Sequence, residues 1–164
     1  MTEQELLALN VYEEARGEIP DGQAAIARIV KNRMALRYTS DGTIFGTVLA
    51  KDQFSWAWFG FETHHSGTAT HPLNVKSYER IAHTLTEAEG VAQDMLDLAP
   101  ADLLVACGII AQEVMNGTFS GQFYDYLTDD AVLYLNPRIL TKLPVWAIPD
   151  KLVCSIGHHD FYRA

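Results

Sequence analysis

Three carboxylates crowd the stretch VYEEARGE, at Glu13, Glu14 and Glu18. A carboxyl group kept protonated near neutral pH can donate to a leaving oxygen, which is the work of a general acid. Wound at 3.6 residues per turn, Glu14 joins the stripe of Leu7 and Val11, while Glu13 joins that of Leu6 and Leu9. The period therefore leaves open which of the two points inward. Whichever does lies near a helix C-terminus, where the negative end of the dipole and apolar neighbours both disfavour charge. Glu18 falls just ahead of the next helix, whose first amides favour an anion. Two acids with opposed surroundings are the pattern from which acid and base roles are assigned. The plain alternative is a solvated cluster at a helix end.

These residues need elements to hold them. A first helix is expected from about Thr2, as its cap, to Arg16, with Gly17 in a left-handed stop and Pro20 beyond it. A second begins at Pro20 or Asp21 and buries Ile26, Ile29, Val30 and Met34, with Arg33 beside that face and able to pair with Glu18. Tyr38 to Gly46 reads as loop and Phe45 to Ala50 as a short helix. QFSWAWFGF, Gln53 to Phe61, alternates aromatics as a strand would, with Trp58 to Phe61 as the exposed part. Pro72 to Leu98 keeps a helical period. Leu103 to Ala111 is apolar all round apart from Gly108, as a buried central helix would be, and Gly117 ends it. The tight Ala99–Pro100 connection predicts that these two helices run antiparallel. FYDYL and AVLYLNP, around Thr128 to Asp130, read as a hairpin or two short extended segments. The C-terminal segment returns extended. The fold class is α+β, predominantly helical, with a small β-hairpin region and one domain over 1–164.

The 164 residues suffice for a core without staples, and the 48% hydrophobic, 20% charged composition is that of a globular domain. A net charge of −9 argues against nucleic acid and against stable binding to anionic membranes as the main role. No apolar run has the length of a membrane span. MTEQELLALN carries acids where a signal peptide carries lysine or arginine, which predicts synthesis in the cytoplasm. Cys107 and Cys154 are expected to be unpaired, and a monomer is expected. His64, His65 and His71 invite a metal reading, but the chain has no HExxH spacing, so no metal and no cofactor is expected.

Several stretches, in order and from end to end, resemble the SleB-type cell wall hydrolases, the spore cortex-lytic enzymes. They are EARGE (Glu14 to Glu18), GQAAIARIVKNR (Gly22 to Arg33), QFSW (Gln53 to Trp56), the helix end from Ala111 to Gly117, LYLNP (Leu133 to Pro137), Trp146, and IGHHDFY (Ile156 to Tyr162). The resemblance implies a lysozyme-like catalytic domain that cuts peptidoglycan glycan strands, and it makes Glu14 the catalytic acid. Departures from the pattern are Leu133 and Leu135 for outer tyrosines, and Asp130 and Ala131 for a glycine pair.

The implied cut falls between N-acetylmuramic acid and N-acetylglucosamine. Gln53, Ser55, Trp56, Tyr134 and Asn136 are the expected substrate contacts, and Glu18, Arg33 and His159 are expected near the site in structural roles. Asp52, Glu62 and Asp130 are candidates for a second acid, yet none has a spacing that sets it opposite Glu14. The expected product therefore ends in 1,6-anhydro-muramic acid, as from a lytic transglycosylase. The setting expected is phage lysis, with release through a holin-type pore. Competing readings are a muramidase, a zinc amidase using His64, His65, His71 and His159, and a non-catalytic glycan-binding protein.

Overall fold

The computed structural model describes residues 1–51, 53–59 and 82–164, and at Phe59 the backbone alone. The expectations at Asp52, Glu62, His64, His65 and His71 lie outside the described residues, as does the start of the helix expected from Pro72.

Helix α1, Glu3–Ala15, begins on a capping box: Thr2 Oγ1 accepts from the Glu5 amide at 3.2 Å, and a Glu5 carboxylate oxygen accepts from the Thr2 amide at 2.6 Å. Nearly its whole surface is buried, from Leu6 through Tyr12. It lies against α2 (Pro20–Leu36), α3 (Ile44–Val48), α5 (Leu85–Leu98) and α6 (Ala101–Asn116). The central helix is thus α1 and not the apolar segment 103–111. α6 buries Cys107, Ala111 and Val114 on one side and leaves Val105 63% exposed, with Ile109 and Leu103 also in solvent. Composition alone misplaces it, because a helix apolar all round does not say which side finds a partner.

Other boundaries also differ from the sequence reading. Gly17 does not adopt a positive φ; the end of α1 is Arg16 in ordinary helical geometry. The QFSW region is a turn followed by the short helix α4, Trp56–Phe59, in place of a strand, and Trp58 is buried in place of exposed. A new helix starts at Thr84, whose side chain and Glu87 form a second capping box, so no single helix runs unbroken to Leu98. α5 and α6 are bent by 116° at Ala99–Pro100, a corner and not an antiparallel pair. Tyr124–Tyr126 is a 3-10 turn. Among the described residues no single helix is long and apolar enough to cross a membrane.

Three short strands, β1 (Ala131–Leu135), β2 (Leu152–Ile156) and β3 (His159–Arg163), form an antiparallel sheet in the order β1-β3-β2. The hairpin is β2–β3, and β1 pairs with β3 rather than with the preceding FYDYL segment. Between Ala131 and Leu133 the register slips by one, leaving Val132 as an extra residue opposite the Tyr162–Arg163 step. Three successive residues of α2 fix this sheet to the helices. Lys31 Nζ donates to the carbonyls of Val114 and Met115, closing the end of α6. Asn32 Nδ2 donates to Thr128 and Ala131 carbonyls, and Arg33 Nε donates to the carbonyl of the bulged Val132 at 2.7 Å.

Candidate active site

A cleft of about 470 Å³ opens between the C-terminal end of α1, the turn before α4 and the outer side of β1. It is within the size range of small-molecule sites. Its lining includes Glu14, Arg33, Tyr38, Gln53, Ser55, Tyr134, Asn136 and His159, backed by Leu133, Leu135, Ile139, Leu140 and Trp146. Glu14 is the only carboxylate among the described residues of this lining.

Glu14 reaches the cleft because one residue of helix turns a side chain by about 100° relative to its neighbour. Glu13 faces elsewhere: its side chain is 0% exposed and pairs with Arg16 at 3.1 Å. The hydroxyl of Tyr134 donates to Oε2 of Glu14 at 2.6 Å. Burial first, and the neighbouring Glu14 second, push the Tyr134 phenol well above its ordinary value. It therefore remains a donor at any pH the protein meets. Phe54 and Phe161 flank the Tyr134 ring at centroid distances of 6.4 and 6.1 Å, so its orientation is fixed by packing.

Behind Tyr134 stands His159, edge-on at 5.5 Å. Its Nδ1 lies 3.6 Å from Oε1 of Glu18. Desolvation holds the imidazole below its ordinary value, against the opposing pull of Glu18. Glu18 accepts from the His158 amide at 3.0 Å and contacts His158 Nδ1 at 2.9 Å, which ties the start of α2 to the β2–β3 turn. Gly157 occupies that turn with φ +61, and a Cβ there would come within 2.0 Å of Glu18 Oε2. The expected Glu18–Arg33 pair does not form. Arg33 is drawn away to Val132, and Glu18 is taken by the histidines.

Gln53 and Ser55 enter the cleft from the turn before α4, with Gln53 Oε1 accepting from Thr39 Oγ1 at 3.0 Å. Asn136 stands at the end of β1, its Oδ1 committed to the Arg138 amide at 3.0 Å. Trp56 is a correction. It is 1% exposed and sits in the core, its Nε1 donating to Asn10 Oδ1 at 3.0 Å, because α4 turns its ring inward toward α1. The cleft tryptophan is instead Trp146, half-buried and edge-on to Tyr162 at 5.5 Å. Trp146 is one of the residues that carry the family resemblance, but nothing in its neighbours places it in the cleft. Tyr38, Ile139 and Leu140 carried no such signal.

Asp130 lies outside the cleft at the solvent edge, 3.7 Å from Arg163. Among the described residues no three potential metal ligands cluster, and His159 is the one member of the histidine set that is placed. Cys107 and Cys154 are unpaired. A larger groove of about 920 Å³ runs between α1, α5 and α6. Its acids do not converge, and Glu5 is spent on the cap of α1. The smaller cleft is therefore the candidate active site.

No protein-family model and no curated protein matches the sequence. Solved structures do. The chain is similar to the catalytic domain of the germination-specific lytic transglycosylase SleB from Bacillus anthracis, at 20% identity and a TM-score of 0.58, covering 98% of this chain and 93% of that one. It is similar to the catalytic domain of the Bacillus cereus SleB protein at 21% identity and the same TM-score, covering 98% and 89%. The chain has the SleB catalytic-domain fold, predominantly helical and lysozyme-like.

Proposed function

We propose that the cleft cleaves the glycan strands of peptidoglycan as a lytic transglycosylase. One observation carries the reading: a single carboxylate, Glu14, is held by a half-buried tyrosine in a cleft whose described lining offers no second acid. The fold adds weight, since a structural neighbour is named as a lytic transglycosylase.

In this reading Glu14 protonates the oxygen between N-acetylmuramic acid and N-acetylglucosamine while positive charge builds on the muramic ring. The bond from the anomeric carbon to that oxygen breaks, and Glu14 is left as a carboxylate. The Tyr134 hydroxyl, already donating to Oε2, stabilises that charge. The muramic 6-hydroxyl then attacks the anomeric carbon and returns its proton to Glu14. Because this attack is intramolecular, it avoids the entropic cost of capturing a water. Trp146, with Leu133, Leu140 and Ile139, offers an apolar wall for the carbon-bearing faces of the sugars, and Gln53, Ser55 and Asn136 supply polar contacts.

Mass spectrometry of soluble fragments released from purified peptidoglycan tests the proposal. Fragments ending in 1,6-anhydro-muramic acid are expected. Reducing-end muramic acid, heavier by one water, as the sole product would make the protein a muramidase. Severed peptide stems with intact glycans would make it an amidase.

A further inference from the structure

Arg33 has a role that the sequence reading does not give it. Its residue surface is only 3% exposed, and it lies on the helix that flanks the cleft. Two contacts hold it in place. Nε is bonded to the carbonyl of Val132, and the guanidinium carbon sits 4.9 Å above the ring of Phe54. Nη1 is buried and has no hydrogen-bond partner. Desolvation holds this guanidinium below its ordinary value, against the opposing influence of Tyr134, Tyr38 and then Glu14. Arginine does not give up its proton in proteins, so the charge persists and its surroundings must offset the cost of burying it.

We propose that Arg33 is a positioning residue for catalysis: its fixed positive charge stabilises the carboxylate that Glu14 becomes when it gives up its proton. The inference rests on the assignment of Glu14 as general acid. The groups facing Glu14 among the described residues fit it. Tyr134 from β1 is a neutral donor, Tyr38 follows α2, and His159 from β3 stands behind the Tyr134 ring and engages Glu18. On the side of α1, Glu13 is paired with Arg16, and Glu18 with His158. Among the described residues Arg33 is thus the fixed cation of the cleft lining. With Nη1 sealed from solvent and Nε spent on Val132, Arg33 acts on Glu14 through its field.

The test is the pH profile of kcat for glycan release. A general acid fails as pH rises through its own titration, so the alkaline limb reports Glu14. Opposite charge nearby favours the ionised form, so removing it makes Glu14 a weaker acid. Arg33→Gln should move the alkaline limb upward by about one pH unit and lower the plateau kcat about tenfold, with KM unchanged. Arg33→Lys, which keeps the charge, should leave the limb in place. Arg33→Met repeats the test with an uncharged chain of similar bulk. Limbs of Arg33→Gln and Arg33→Met that coincide with the unmodified protein overturn the inference. So does failure of both uncharged variants to fold, since the charge would then serve the fold. Glu14→Gln is the control for the underlying assignment: if it still cuts glycan, that assignment fails, whatever the Arg33 profiles show.

Discussion

Tyr134 Oη and Glu14 Oε2 are 2.6 Å apart although 120 residues separate them in the chain. One comes from an edge strand and the other from the last turn of the central helix. Their hydrogen bond is where the sheet and the helices meet chemically.

Tyr134→Phe removes the donor and keeps the ring between Phe54 and Phe161. A hydrogen bond to a charged group is worth about 1.5–3 kcal/mol, so kcat should fall about 10- to 100-fold. Thermal unfolding should change little. A variant with full turnover would show that the contact is only structural.

Glu14→Gln should abolish glycan release, a loss of about 100- to 10,000-fold, with the circular dichroism spectrum preserved. Glu13→Gln should do the reverse. Its side chain is buried against Arg16, so stability drops while turnover per folded molecule stays. An active Glu14→Gln beside a dead Glu13→Gln would exchange the two roles.

Glu18 anchors the β2–β3 turn, and Glu18→Gln should cost about 1–3 kcal/mol, read as a Tm lowered by several degrees. Gly157→Ala should be destabilising as well, since its Cβ would run into Glu18 Oε2 at a positive φ. Normal melting with no turnover in Glu18→Gln would put Glu18 into the chemistry.

His159 contributes a pH dependence of stability. Its folded-state value lies below the ordinary 6.5 because burial disfavours the imidazolium. Below about pH 6.5 the unfolded chain binds the proton more readily than the fold does. Stability is therefore complete above that pH and declines as the pH falls toward the depressed folded value. His159→Gln should flatten this acid-side decline in denaturant titrations at pH 5 to 7, and an unchanged slope would assign it to other groups.

The two tryptophans should separate cleanly. Trp146→Ala should raise KM with modest loss of stability, because the ring lines the cleft. Trp56→Phe should leave KM alone and lower Tm, because Asn10 loses its donor in the core. The opposite pattern, measured by glycan release against substrate concentration, would return Trp56 to the binding surface.

What could be read from sequence was local. The Thr2 cap, Pro20 at the head of α2 and Gly117 at the end of α6 depend on neighbours within a turn, and the structure has each of them. The misses depend on distant partners. Alternating aromatics look like a strand in QFSWAWFGF, but α1 draws Trp56 inward and a short helix answers better. Leu103 to Ala111 looks central because composition carries no direction. Glu13 and Glu14 lie on equally apolar stripes; the family resemblance picks Glu14, and Glu14 is the one that lines the cleft. Arg33 was one step from its role: the charge and the helix face were readable, but not that Val132 would take its Nε.

That Val132 carbonyl is available because β1 carries one residue more than its partner across this step. Pairing with Phe161 sets the face that Tyr134 presents, and the extra residue upstream leaves the Val132 carbonyl to Arg33. Deleting a single residue between Ala131 and Leu133 would restore a regular ladder, keep Tyr134 opposite Phe161 and take the Val132 carbonyl away from Arg33. The length of this segment is constrained as well as its buried side chains. Redesigns that shorten this segment should free Arg33 Nε from its carbonyl, so its length is best left untouched.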